Sequence, residues 1–255
     1  MNNERFKELC ELVYGEGKCF TSRPCLDGFR GVIDFENKRW MDCSGSYSDL
    51  PMIVLVLESP HKSEYDQETG AAIRPANGAT GISINNKIID LLWDAYNSPQ
   101  ITRSLPSVIS LYIVEAVSYQ CSNNGDPIDR EKRNDLFRKV WGDFGRDDFE
   151  QRMRLLNPFA VINACTCSGC TNSIEKYEKR LKRPSNPGAP MLTRSTQYMD
   201  ALNVLVQISL DSVWGNDQNV DLLFSSHPSS SWFAKNGLQF RKIDRLRKKN
   251  DRQRT

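Results

Sequence analysis

Two histidines and one glutamate are the side chains of this sequence best placed for acid–base chemistry. The chain has only two histidines, His61 and His227, and each follows an apolar, strand-like segment within four residues. Glu58 directly follows the first of these segments. Imidazole and carboxylate groups can move or position protons near neutral pH. These residues predict an acid–base site. The alternatives are that each histidine is structural or exposed and that Glu58 caps a turn or pairs with a lysine.

A glycine-containing loop follows Glu58 and leads into a helical pattern. Gly70, Gly78 and Gly81 interrupt the chain before the apolar repeat of residues 86–96 begins. Such a loop can present backbone N–H groups to an anion, or let the backbone approach a ligand closely. It matches neither the Walker A sequence nor the dinucleotide-binding G-x-G-x-x-G. The loop alone therefore identifies no ligand.

Four apolar segments rich in β-branched residues must position these groups. We predict buried strands over residues 52–57, 111–117, 159–164 and 220–224, with helices over 86–96, 129–141, 148–156 and 195–214. This alternation predicts an α/β protein, a three-layer α/β/α sandwich with a central, mostly parallel four-stranded sheet. The carboxyl ends of parallel strands share one edge of a sheet. We therefore expect Glu58, His61 and His227 to lie there.

The remaining organisation is simple. A helix is predicted over residues 3–14 and a hairpin over residues 31–41, and no internal repeat or low-complexity linker interrupts the chain. We predict a single domain over residues 1–240, in which residues 1–50 are an N-terminal helical and hairpin extension. Residues 241–255 form a basic C-terminal tail.

The amino-acid composition is typical of a soluble globular protein. Its 255 residues are 39% hydrophobic and 26% charged, with a mean hydropathy of -0.54. The longest apolar run, residues 52–57, is too short to cross a bilayer, and the N-terminus lacks the apolar stretch of a secretory signal. We expect a cytoplasmic protein without a membrane partner. Its eight cysteines are then expected to be thiols or metal ligands rather than disulfides.

Charge is unevenly distributed along the chain. Lys and Arg number 34 against 32 Asp and Glu, a net charge of 34 − 32 = +2. The tail carries eight of the basic residues and two of the acidic ones, so it holds 8 − 2 = +6 and the remainder 2 − 6 = −4. A second basic cluster covers residues 175–184. Both segments predict either a solvated surface or contact with phosphates.

Five short motifs share their order with a known superfamily. They are L-E-S-P-H at residues 57–61, R-P-A-N-G-A-T-G at 74–81, Y-I-V-E-A-V at 112–117, N-P-F-A-V-I at 157–162 and H-P-S at 227–229. Over residues 52–233 this order resembles the uracil-DNA glycosylase superfamily, and most closely its bacterial and archaeal family 4 branch. The resemblance implies a prokaryotic monofunctional DNA glycosylase that flips a base out of DNA and hydrolyses its N-glycosidic bond.

The resemblance also implies catalytic roles for the three acid–base residues. Cleavage places negative charge on the departing base and positive charge on the sugar, so a site needs a donor to the base and an anion near the sugar. His227 is the expected donor. Glu58 is expected to stabilise the sugar or position water, with His61 sharing the latter role. The water-activating aspartate of the family falls at Ser59, which cannot act as a base unaided.

Two departures from the family bear on the base. Ala76 stands where the family has a stacking aromatic residue, which predicts a larger pocket. Glu115 stands where the family has an asparagine. An ionised carboxylate can only accept hydrogen bonds, so it favours a base with an exocyclic amine over the O4 of uracil. With Asn77 and Ser59 completing the base-binding set, we expect a bulky 5-substituted cytosine. This extends the resemblance to antiphage glycosylases that act on hypermodified phage DNA.

DNA contact is predicted beside the second histidine. Ser229, Ser230 and Ser231 can donate to phosphates, and Lys62 adds a cation near the first histidine. Trp232 or Phe233 can fill the space that a flipped base leaves, or either ring can pack in the core. DNA is the expected partner, and the protein is expected to be a monomer.

No cofactor is expected, although the cysteines leave two alternatives open. Family 4 members commonly bind an iron–sulfur cluster, but Cys121 is displaced from the family position and the next family cysteine has no counterpart. Cys165, Cys167 and Cys170 form C-x-C-x2-C, which suits zinc if another cysteine supplies a fourth ligand. Buried or incidental thiols are the favoured interpretation.

Two other functions compete with a glycosylase. A catalytically inactive nucleic-acid-binding module would explain why Ser59 replaces a carboxylate. A small-molecule hydrolase that uses Ser59 and His227 is disfavoured, because Ser59 lacks the G-x-S-x-G elbow.

Overall fold

A computed structural model describes residues 2–41, 49–98, 103–122, 130–166, 201–215, 217–230, 233 and 237–240. Seven strands of these residues form one mixed sheet in the order β2-β1-β4-β3-β5-β6-β7. The strands are β1 (Gly28–Asp34), β2 (Arg39–Met41), β3 (Met52–Leu57), β4 (Val108–Glu115), β5 (Pro158–Asn163), β6 (Asp221–Phe224) and β7 (Gln239–Phe240).

Helices connect and cover these strands. They are α1 (Asn3–Tyr14), α2 (Ala79–Tyr96), α3 (Arg130–Val140), α4 (Arg146–Arg154) and α5 (Leu202–Trp214). A 3-10 turn spans Lys62–Glu64, and a π-helical turn, Trp141–Gly145, joins α3 to α4. No helix in the described ranges is both long and apolar enough to cross a membrane.

The strands that carry the candidate site pair in parallel. Strand β3 lies between β4 and β5, and β6 adds to β5, all in parallel. In this register Leu57 pairs with Glu115, Val56 with Asn163, and Asn163 with Phe224. The four strands therefore end at one edge, which brings the residues after β3, β5 and β6 close to Glu115 at the end of β4.

The sequence of β3 explains why it lies at the centre of the sheet. Five of its six residues are buried, and successive side chains of a strand point to opposite faces. Val54 and Val56 pack in the core beneath α1, α3, α4 and α5. Ile53, Leu55 and Leu57 pack with α2 on the other face. A continuous apolar strand is thus what a sheet covered on both faces requires.

The predicted α/β class is confirmed, but the sheet has seven strands rather than four. The hairpin predicted over residues 31–41 exists as β1 and β2, and β1 pairs antiparallel with β4. Among the described residues of this segment, α1 packs in the core and β1 and β2 join the sheet. Strand β4 begins at Val108, three residues before the prediction, because its first residues pair with β1. Strand β7 adds an antiparallel edge to β6.

Helix α2 begins at Ala79, seven residues before the predicted start. Gly78 and Gly81 favoured a loop in the sequence. In the structure both lie at the start of α2, close to neighbouring atoms. A Cβ on Gly81 would lie 1.9 Å from the carbonyl oxygen of Ala76, and one on Gly78 would lie 2.4 Å from Ser63 Oγ. These glycines permit close packing rather than helix termination. In the last predicted helix, residues 195–200 lie outside the described residues, as do the basic segments 175–184 and 241–255.

Candidate functional site

A cavity of about 350 Å³ opens at the carboxyl edge of the parallel strands. Its lining comes from the segment after β3, the start of α2, the ends of β4 and β5, α3 and the loop after β6. Of the residues predicted from sequence, those in the lining are Glu58, Ser59, His61, Glu115, His227 and Ser229. The predicted acid–base residues thus share one cavity, whose volume is near the lower end of the range for small-molecule sites.

Both histidines are held by the same local hydrogen bonds. The Nδ1 atom of His61 accepts from the backbone N–H of Ser63 at 3.3 Å and lies 3.1 Å from its hydroxyl. His227 Nδ1 accepts from the N–H of Ser229 at 3.3 Å and lies 2.8 Å from that hydroxyl. A nitrogen that accepts an N–H cannot carry a proton. In each neutral ring the proton is therefore on Nε2, which is left as a donor.

The loop that carries His227 is fixed on several sides. Ser83 of α2 donates its hydroxyl to the carbonyl of Pro228 at 2.6 Å, and the N–H of Ser230 donates to the carbonyl of His227 at 2.8 Å. Burial, with a smaller effect of the nearby Arg133 cation, lowers the pKa of His227 to about 4. His227 is therefore a neutral donor at physiological pH. The pKa of His61, at the cavity mouth, is lowered by partial desolvation and by Lys62.

Glu58 forms an ion pair that sequence reasoning missed. Arg133 of α3 lies with its Nε 3.2 Å from Glu58 Oε1, and their side chains are 17% and 5% exposed. The second oxygen of Glu58 has no hydrogen-bond partner among the described residues. Glu58 thus keeps one carboxylate oxygen free in a nearly buried position.

Glu115 lies completely buried at the end of β4. Its backbone is held by a salt-bridged pair: Asp27 accepts from the Glu115 N–H at 3.2 Å, and Arg152 donates to the Glu115 carbonyl at 3.0 Å. Burial is the largest cause that raises the pKa of Glu115 well above its ordinary value, and Glu64, Asp27 and Glu58 add repulsion. Burial and these acidic neighbours therefore disfavour the ionised form of Glu115 that the sequence predicts.

Glu64 is the third carboxyl group of the cavity. It ends the 3-10 turn whose N-cap is His61, and its carboxyl is stabilised by the backbone N–H groups of His61 and Ala76. This return to the N-cap N–H is the arrangement of a capping box. Burial raises the pKa of Glu64 to about 7, against these lowering contacts.

Two predicted base-binding residues support the cavity instead of lining it. Ala76 is 1% exposed, with φ of 53°, and belongs to the core beneath α2. Asn77 uses its side-chain amide to donate to the carbonyl of Ser63 at 2.9 Å, and accepts from Arg74 Nε at 3.0 Å. The inference that Ala76 enlarges the pocket is therefore wrong, because the φ and burial of this residue turn it toward the core.

The predicted DNA-contacting residues differ in their placement. Ser229 is exposed at the cavity, Ser230 is half-buried, and Lys62 is exposed outside the lining. Phe233 is completely buried in the core, which excludes it as a wedge. Ser231 and Trp232 lie outside the described residues.

Sequence reasoning assigned no role to several residues of the lining. They include Arg133, Glu64, Ser63, Thr80, Ser122 and Thr166. The repeated H-x-S spacing at residues 61–63 and 227–229 was a usable signal for Ser63. Arg133 gave no such signal, since it is one of several basic residues in its helix and only packing selects it.

The candidate cysteine ligands that the structure describes are buried thiols. Cys121 lies near the carbonyl of Tyr119 at 3.6 Å and shares a hydrogen bond with Ser59, while Cys165 lies 3.9 Å from the carbonyl of Val56. Within the described ranges, no cluster of three or more His, Cys, Asp or Glu residues has the geometry of a metal site. Cys167 and Cys170 lie outside those ranges.

The chain was compared with protein-family models, with curated proteins and with solved structures. None of the three comparisons finds a match.

Proposed function

We propose that this protein is a monofunctional DNA glycosylase that hydrolyses the N-glycosidic bond of a flipped, modified pyrimidine. A modified cytosine is favoured over uracil, because buried carboxyl oxygens of Glu64 and Glu115 at the cavity have no donor among the described residues and suit an exocyclic amine. The observation that carries the proposal is one cavity that contains both the neutral donor His227 and the nearly buried carboxylate Glu58. Antiphage defence is the biological setting that the resemblance suggests.

Each reaction partner has a group in the cavity. As the bond from the base to C1′ breaks, its electron pair moves onto the base, and His227 Nε2–H stabilises the charge on the base oxygen. The free oxygen of Glu58 stabilises the sugar cation. Water, held by His61, adds to C1′ and gives its proton to that Glu58 oxygen, and the proton returns through solvent to the departed base anion. One well-placed donor to a developing oxyanion is typically worth about 10²–10³ in rate.

The fold supports the proposal without requiring it. Strands β3 to β6 pair in parallel, and helices pack in cores on both faces of the sheet. This agrees with an α/β/α sandwich of the uracil-DNA glycosylase type, in which β1, β2 and β7 are additions. The exposed Ser229 and Lys62 lie beside the histidines, where a DNA backbone would pass. We propose that the protein binds DNA as a monomer in the cytoplasm, without a metal or other cofactor.

Mass spectrometry of released bases tests this proposal. The purified protein is incubated with DNA that contains uracil, cytosine or hypermodified cytosine, and DNA binding is measured in parallel. We expect release of a modified cytosine, and loss of at least about a hundredfold in rate in His227→Ala and Glu58→Gln while DNA binding is retained. Glu68→Gln, an exposed carboxylate outside the lining, is the matched control.

Two outcomes would contradict the proposal. Release at the wild-type rate by His227→Ala would remove this histidine from catalysis. Tight DNA binding with no base released from any substrate would favour a catalytically inactive binding module, which Ser59 in place of a carboxylate already suggests.

A further inference from the structure

Arg133 is the only Lys or Arg in the described lining of the cavity, and it contacts a group of the proposed reaction. Its Nε lies 3.2 Å from Glu58 Oε1, and the two side chains are 17% and 5% exposed. An exposed ion pair contributes little, because water screens it. In a nearly buried pair each charge depends on the other, since water no longer stabilises either one. The state of Glu58 therefore depends on Arg133.

The contacts of Arg133 fix the direction of its guanidinium group. Its Nε and Nη2 donate to Asn134 Oδ1 at 3.1 and 2.7 Å, while Nε also faces Glu58. A planar guanidinium held by two acceptors has little freedom to rotate. Arg133 belongs to α3, and Glu58 directly follows β3. The ion pair thus connects a helix to the strand edge at which the cavity opens.

The ion pair also determines which oxygen of Glu58 stays available. Arg133 contacts Oε1, whereas Oε2 has no hydrogen-bond partner among the described residues. Without Arg133 the carboxylate could rotate, and desolvation would disfavour its charged form. Either change would remove the ionised oxygen that the proposed reaction places beside the sugar and the water.

We propose that Arg133 is a positioning residue of the reaction: it keeps Glu58 ionised and holds Oε2 of that residue toward the sugar and the water. The inference rests on the proposed function, because Arg133 acts only through Glu58. Two other roles compete with it, direct contact between Arg133 and the DNA and a purely structural ion pair. The three roles differ in what Arg133 contributes once Glu58 has lost its charge.

A double-mutant cycle on base release separates these roles. Wild type, Arg133→Gln, Glu58→Gln and the double variant are each used in excess over the DNA, containing uracil, cytosine or hypermodified cytosine, from which the wild type releases most base. We expect Arg133→Gln to lower this single-turnover rate by about tenfold or more, since groups in contact are strongly coupled. In the Glu58→Gln background the same substitution should change the rate by less than about twofold. Affinity for the DNA, measured by fluorescence anisotropy, should stay within about twofold of wild type in all four proteins.

Two single variants complete the design. Arg133→Lys keeps a cation beside Glu58 and leaves no buried charge unpaired. An ammonium group lacks the planar geometry of a guanidinium, so this variant should release base faster than Arg133→Gln but more slowly than the wild type. Arg130→Gln removes an exposed arginine at the start of α3, outside the lining, and should behave as wild type.

A wild-type rate in Arg133→Gln would overturn the inference. So would equal losses of rate in the presence and absence of the Glu58 charge, or weakened DNA binding at an unchanged rate, since both indicate that Arg133 contacts the DNA. If Arg133→Gln fails to fold, Arg133→Lys takes its place in the cycle, and a wild-type rate there overturns the inference. Failure of the proposed function would look different: no DNA would release a base even with the wild type, while urea unfolding would still show Glu58→Gln offsetting the loss of Arg133. The ion pair would then be structural alone.

Discussion

The buried carboxyl of Glu64 should make the stability of the protein depend on pH in a way that one substitution removes. Glu64 is 3% exposed, and burial raises its pKa from an ordinary value of 4.5 to about 7. In the unfolded chain the carboxyl ionises near its ordinary value. Between these two pH values the folded state therefore holds a proton that the unfolded state has released.

The sign and size of the effect follow from linkage. Below pH 4.5 Glu64 is protonated in both states, so its full contribution to stability is present there. As the pH rises toward 7 the unfolded state is favoured by about 1.4 kcal/mol for each pH unit, and above 7 the loss is complete. The interval of 7 − 4.5 = 2.5 units gives a loss of about 3 kcal/mol.

The assay is urea unfolding of the wild type and Glu64→Gln at several pH values from 4.5 to 8. Glutamine cannot ionise. The free energy of unfolding of the wild type minus that of the variant should therefore fall by about 3 kcal/mol between pH 4.5 and 7 and then stay constant. Taking this difference cancels groups that titrate in both proteins, such as His227. Glu68→Gln, at an exposed position, controls for the loss of one carboxylate. If this difference in the free energy of unfolding does not change with pH, the conclusion that burial raises the pKa of Glu64 is refuted.

Three further predictions concern the ion pair, the start of α2 and the catalytic histidine. Arg133→Ala should destabilise the fold by about 3 kcal/mol, because it leaves the nearly buried Glu58 without its cation. Chemical unfolding measures this loss of stability. Adding the substitution Glu58→Gln to Arg133→Ala should recover part of it. Gly81→Ala should cost about 3 kcal/mol or more, since its Cβ would lie 1.9 Å from a backbone oxygen, an overpacked contact. Gly142→Ala, with nothing within 4 Å, should leave the thermal midpoint nearly unchanged, and equal midpoints for the two alanine variants would contradict the packing argument. The pKa of His227 is lowered to about 4, so its neutral form, in which Nδ1 accepts the Ser229 N–H, persists throughout mildly acidic conditions. Protonation of Nδ1 would remove this bond and displace the Nε2–H donor, so the loss of base release caused by this group should appear only as the pH approaches 4. The opposite result would be a wild-type rate of base release that changes near pH 6.5, the ordinary pKa of histidine, and a His227→Gln variant that lacks this change. It would argue against a neutral, desolvated imidazole at His227.

Much of the fold was readable from local patterns. The run of six apolar residues at 52–57 identified β3 with its exact bounds, and the amphipathic repeat of residues 3–14 identified α1. The placement of histidines shortly after strands predicted a shared edge of a parallel sheet, and both line the cavity. These predictions succeed because strand burial and helix amphipathicity are properties of consecutive residues.

The charge states and partners in the cavity could not be predicted in this way. Glu115 was expected to be ionised, yet packing on all sides, with Glu64 beside it, raises its pKa. Arg133 contacts Glu58 across 75 positions of the chain (133 − 58), and no local pattern sets it apart from the basic residues near it. Phe233 looked equally suited to a DNA wedge or to the core, and only the folded chain shows it buried.

The sequence specified the apolar strands, the helices and the order in which acid–base residues follow them, because these depend on short-range periodicity. Tertiary structure decided how the hairpin of residues 28–41 joins the sheet, which carboxyl groups are buried and which cation pairs with Glu58. These features arise from desolvation and from contacts between segments distant in sequence, and both exist only once the chain has packed.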